Sequence, residues 1–106
     1  QMSQFDKREK GFEQKHSRDQ EFNFKVQARR NKLLGEWAAD KLGLDGAAAV
    51  AYAKEVIVSD FDEPGDEDVL RKVFGDLEAK GVDTSEHLVR KEMDKLLEVA
   101  RSELSD

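Results

Sequence analysis

The chain contains no cysteine, which excludes disulfide frameworks, thiolate metal sites and cysteine nucleophiles together. The same absence fits a reducing compartment. Among 106 residues there is one proline, Pro64, so long stretches are free to be helical. No apolar run approaches the ~20 residues that span a bilayer. The amino end, charged from Asp6 onward and without an apolar core, does not read as a signal peptide. Apolar residues make up only 38% of the chain against 40% charged, so part of it is expected to stand outside any core. The length allows one domain.

The groups that catalysis needs are equally scarce. His16 and His87 have no second histidine within a helical turn, so each reads as a surface residue rather than a metal ligand. None of the serines sits in a G-x-S-x-G turn. The glycines fit neither the Walker nor the dinucleotide spacing. Asp60-x-Asp62-x-x-Gly65 opens like a calcium loop, but position five is then Pro64 and position twelve is Arg71 where a bidentate Glu belongs. It reads instead as a turn that leaves Asp66, Glu67 and Asp68 at a helix start, where negative charge is favoured. No enzyme and no metal site is expected.

What the chain does have is charge, unevenly placed. Overall it carries 18 basic and 24 acidic side chains. Residues 1–32 hold nine basic against five acidic, a charge of +4; residues 33–106 hold nine against nineteen, or −10. This is a basic arm on an acidic body. The run Lys25, Arg29, Arg30 and Lys32 could meet phosphates, but no aromatic platform surrounds it and the body repels nucleic acid. It reads as a solvated helix face, with a partner's carboxylates as a further option; no nucleic-acid partner is expected.

From Phe22 the apolar residues recur with helical spacing through Val26, Leu33, Leu34, Trp37, Ala38 and Leu42. Gly43 should end this helix, and Asp45 should cap a second one carrying Val50, Ala53, Val56, Ile57 and Phe61. Pro64-Gly65 breaks it. Asp66 should then cap a third helix with Val69, Leu70, Val73, Phe74 and Leu77, ending at Gly81. Asp83 or Thr84 should cap the fourth, striped by Val89, Met93, Leu96, Leu97, Ala100 and Leu104. No segment alternates as a half-buried strand does. The fold class is therefore all-α: a small four-helix bundle over 21–106, with Trp37 buried near Val56, Ile57 or Leu97. Residues 1–20 form a mobile, partly helical N-terminal arm whose large apolar residues are Met2, Phe5 and Phe12. These few cannot offset an ordering cost of roughly 1–2 kcal/mol per residue. The arm is expected to be frayed alone and helical once a partner covers Phe5 and Phe12.

Several strings give the chain a likeness to a known family. They are Phe5-Asp6-Lys7-Arg8-Glu9, Phe12-Glu13-x-Lys15, Ala28-Arg29-Arg30-Asn31-Lys32-Leu33-Leu34-Gly35-x-Trp37, Ala51-Tyr52-Ala53-Lys54-Glu55-Val56 and Gly65-Asp66-x-Asp68-Val69. In these the chain resembles the zeta subunit of alphaproteobacterial F-type ATP synthases. The resemblance implies a four-helix bundle whose mobile amino-terminal segment inhibits ATP hydrolysis by inserting at a catalytic interface of the rotary head. It also implies the contact residues Phe5, Arg8, Glu9, Phe12, Glu13 and Lys15. After Lys15 the chain reads His16-Ser17-Arg18, more polar than the aromatic and small apolar residues common at that place in the family. The expected partner is the catalytic head of the F-type ATP synthase. Direct membrane insertion is not expected, and the free chain should be monomeric. The location implied is cytoplasmic, peripheral to the inner membrane through the synthase. The other reading is a small helical module that binds a nucleotide or a protein and carries a disordered tail. An adenine nucleotide stays open as a ligand; no other cofactor is expected.

Overall fold

The computed structural model describes residues 4–105, with side chains from Arg8 onward. Helix α1 runs Gln4–Lys41, α2 Gly46–Ser59, α3 Glu67–Ala79 and α4 Glu86–Leu104. Among the described residues there is no strand, and no helix is long and apolar enough to cross a membrane. Leu34, Val56, Val69, Val73, Leu77, Val89 and Met93 are fully buried and form one core between the four helices. The antiparallel neighbours α1 and α2 make the most extensive pairing.

The helix stops follow local chemistry. Gly43 takes φ +77° and Gly81 φ +81°, conformations that cost a side chain but not glycine. Each closes its helix with two bonds. The Gly43 N–H donates to the Asp40 carbonyl and the Leu44 N–H to Ala39, at 3.1 and 2.9 Å. Gly81 and Val82 do the same to Glu78 and Leu77, both at 3.0 Å. Leu44 and Val82 then pack on the core, the hydrophobic contact that accompanies this ending.

The helix starts differ from expectation. Neither Asp45 nor Asp66 accepts a side-chain capping bond. The Asp66 carboxylate is turned to two guanidinium groups instead, 3.9 Å from Arg30 and 3.5 Å from Arg90. Helix α4 is capped by Ser85, not by Asp83 or Thr84: the Ser85 Oγ accepts from the Leu88 N–H at 3.1 Å. Helix α2 stops at Ser59, before Phe61, so Phe61 leaves its stripe and stands exposed; Val50 is exposed as well. Trp37 is half-buried in a cleft with Thr84 and Leu88, with the Lys41 ammonium 5.0 Å over its ring. The first helix begins not near Phe22 but at Gln4.

Candidate protein-binding site

Towards its amino end α1 leaves the bundle. Val26 is buried and Phe22 half-buried, but residues 8–21 are exposed without exception. A helix of 38 residues is ~57 Å long at the usual rise, and it gives the molecule its extent of 65 × 24 × 21 Å. Packing of an apolar face supplies most helical stability in proteins, and an isolated helix of about 12–15 residues is marginal in water. The projecting part has no such packing. Gly11 weakens it further, by about 1 kcal/mol relative to Ala, and a Cβ there would meet nothing within 4 Å. This is a helix poised to be covered.

Arg8, Glu9, Phe12, Glu13 and Lys15 all stand exposed on this projection. Phe5 belongs to α1, but its side chain lies outside the described ones, as does Met2 altogether. One helical turn before and after Phe12 come Arg8 and His16, so these three share a face. Lys15 borders that face on one flank, and Glu9 and Glu13 on the other. Phe12 is 72% exposed. His16, read from the sequence as an ordinary surface histidine, stacks on it with ring centroids 6.4 Å apart and planes 2° from parallel. The two rings make one flat plate in the separation range of stacked aromatic pairs. Counting at 3.6 residues per turn, this face continues the one that carries Val26, Arg30 and Leu34 inside the bundle. A partner covering Phe12 therefore sits directly over the bundle's end.

The root of the arm is clamped. Arg30 is buried, with 4% of its surface exposed, and not on a solvated face as its basic neighbours had implied. Its Nε donates to the Asn31 Oδ1 at 2.7 Å, and the Asn31 amide donates to the Asp60 carboxylate at 2.9 Å. Asp66, near Arg30, reaches on to Arg90 of α4. Burial pushes the Asp60 carboxyl above its ordinary range, against the opposing pull of the Asn31 amide and Arg30. Asp68 is buried and accepts from the Glu63 and Val69 N–H groups, at 3.0 and 2.9 Å. Hydrogen bonds and charge thus tie α1, the α2–α3 turn and α4 at the point where the arm emerges, which sets its direction. Above this clamp Phe24 and Phe61 stack at 6.5 Å, still 58% and 65% exposed. They border a cleft of about 430 Å³ together with Asn31, Asp60 and Pro64. Sequence alone had put Phe61 in a buried stripe. Its one local signal was Pro64, which biases the preceding residue away from helix. Among the described residues no group of three His, Asp or Glu side chains gathers as a metal site.

A small helical bundle that holds one long helix by its root and leaves the rest bare is a carrier for an interaction segment. The regulatory class follows from the comparisons. The model of the family "ATPase inhibitor subunit zeta" matches residues 2–103, and the chain belongs to that family. It is thus a regulatory subunit of the ATPase-inhibitor type rather than an enzyme. A protein structure solved by solution NMR is 51% identical, over 76% of this chain and 92% of that one, with a TM-score of 0.68. The curated proteins give no match.

Proposed function

We propose that the chain inhibits ATP hydrolysis by the F-type ATP synthase, and that the projecting part of α1 docks into a catalytic interface of the rotary head. The observation that carries this reading is the exposed helix 8–21 with its Phe12–His16 plate, in a chain of the zeta inhibitor family. The mechanism is mechanical. Catalysis by a rotary head needs its interfaces to open and close in turn, and a helix wedged in one of them resists that change. Phe12 supplies the anchor: covering one such ring contributes ~1.5–3 kcal/mol. Arg8, Lys15 and the other basic residues speed the encounter with an acidic entrance, an effect that salt screens. Glu9 and Glu13 offer carboxylates to basic groups at the flank. Phe5 would add a second apolar contact two turns before Phe12.

Amide hydrogen exchange with and without the catalytic head tests this reading. Exchange at residues 8–21 should be fast in the free chain and slow strongly in the complex, since a docked helix closes bonds that otherwise open freely. Protection confined to α3 and α4, with the arm unchanged, would contradict it.

A further inference from the structure

Helix α2 is apolar nearly all round, and such a helix ordinarily lies buried. Here one side, with Tyr52, Ala53 and Val56, faces the core, while Ala47, Val50, Ala51 and Val58 stand on the other and are exposed. Between α2 and α1 runs a groove. It begins at Phe24 and Phe61, continues past Ala28 and Ile57, and ends at Ala49 and Val50, through three adjoining hollows of about 430, 420 and 570 Å³. From Ala49 to Phe61 it is roughly 18 Å long at the helical rise, the length of three turns of a guest helix. Gly35 lets α1 and α2 approach so closely that a Cβ there would lie 2.6 Å from the Ala53 Cα.

The groove's charge says what it can hold. Past Ala28 it is bordered by Lys25, Arg29, Lys32 and Lys54, with Glu36 as the one carboxylate lining those two hollows, whereas Asp60, Asp62 and Glu63 line the end at Phe61. Lys25 pairs with Glu21 and Arg29 with Glu103. Among the described residues, neither Lys32 nor Lys54 makes an ion pair. These are unanswered cations on an otherwise acidic body, and they belong in part to the basic run for which the arm has no use. We infer that the α1–α2 groove is a second docking surface, built to take an amphipathic helix of the synthase head with apolar residues on one side and carboxylates where it passes Lys32 and Lys54. The proposal rests on the inhibitor reading. Because α1 is one continuous helix, the groove it borders is held in a fixed direction from the arm. Apolar contact at Val50 and Phe61 then holds the bundle, and Lys32 and Lys54 select and orient the acidic helix.

The test uses the full chain and the intact catalytic head. Val50→Glu and the pair Lys32→Glu, Lys54→Glu are compared with Lys80→Glu, an exposed charge control beyond the groove. All these positions are exposed, so melting curves should overlay and certify the fold. The groove variants should need about tenfold more protein for half-inhibition, the loss typical of one central interface residue. Maximal inhibition should be unchanged, because the arm is intact. The affinity of the Lys32→Glu, Lys54→Glu chain should also depend less on salt than that of the parent. Unchanged half-inhibition in both groove variants overturns the groove proposal and leaves the inhibitor reading standing. A parent chain that neither binds nor inhibits overturns both. A dimer of the free parent chain that Val50→Glu dissociates would show a second copy in the groove, and it too overturns the proposal.

Discussion

Gly35 and Tyr52 show how single positions hold the bundle. Gly35 faces the Ala53 backbone so closely that a methyl group forces the two helices apart. Overpacking of this kind usually costs ~1–3 kcal/mol. Gly35→Ala should therefore lower the melting temperature clearly. Gly75, also helical, has open space where its Cβ would be, and Gly75→Ala should be neutral or mildly stabilising. Calorimetry of the pair checks both, and equal effects would contradict the close crossing. Tyr52 is buried, and its hydroxyl donates to the Asp76 carboxylate at 2.8 Å. Burial first, then the hydrogen bond and charge of Asp76, and lastly Glu55, hold its phenol well above the ordinary range. The fold thus keeps the proton where the unfolded chain, with its pKa near ~10, has released it. The stability from this proton is complete below that pH and is lost as pH rises beyond it. Tyr52→Phe should flatten the alkaline loss, at a cost of ~0.5–1.5 kcal/mol for the missing hydrogen bond. Tyr52 is the chain's one tyrosine, so phenolate absorbance reads it directly. Titration of the folded chain near the free-tyrosine value would refute this account.

Among the elements, α1 does two jobs with one continuous backbone. Its carboxyl-terminal half is core, and its amino-terminal part is a helix without a floor. Gly11→Ala should raise helicity by far-UV circular dichroism. It should also tighten inhibition by up to about fivefold, the equivalent of ~1 kcal/mol of preorganisation. Weaker inhibition in this variant would mean that the arm must bend at Gly11 to dock. The four helices and their glycine stops were legible in the sequence, because Gly43 and Gly81 act through local backbone geometry. The caps were not legible. Asp66 has the right chemistry for one, but Arg30 and Arg90 come from distant helices and engage its carboxylate. The burial of Arg30 was hidden for the same reason: its basic neighbours are exposed or half-exposed, and its ion-pair partner Asp66 lies more than thirty positions away. The arm residues could be named through family resemblance, whereas the Phe12–His16 plate and the α1–α2 groove needed three dimensions.

In the whole molecule, a bundle with its own core carries a segment that adds nothing to that core. Chain lacking residues 1–18 should melt within a degree or two of the intact protein. A loss of several degrees, comparable with ~1 kcal/mol in a chain of this size, would place the arm in the fold. With the truncated chain certified in this way, ATP hydrolysis by the cognate catalytic head is the measurement that tests the central claim most directly. Intact chain added in rising amounts should suppress hydrolysis to a plateau. Phe12→Ala should reach the same plateau only at higher concentration, by one or more factors of about ten. The chain without residues 1–18 should leave hydrolysis untouched at any excess. If that truncated chain inhibits as well as the intact one, the projecting helix is not the inhibitory element.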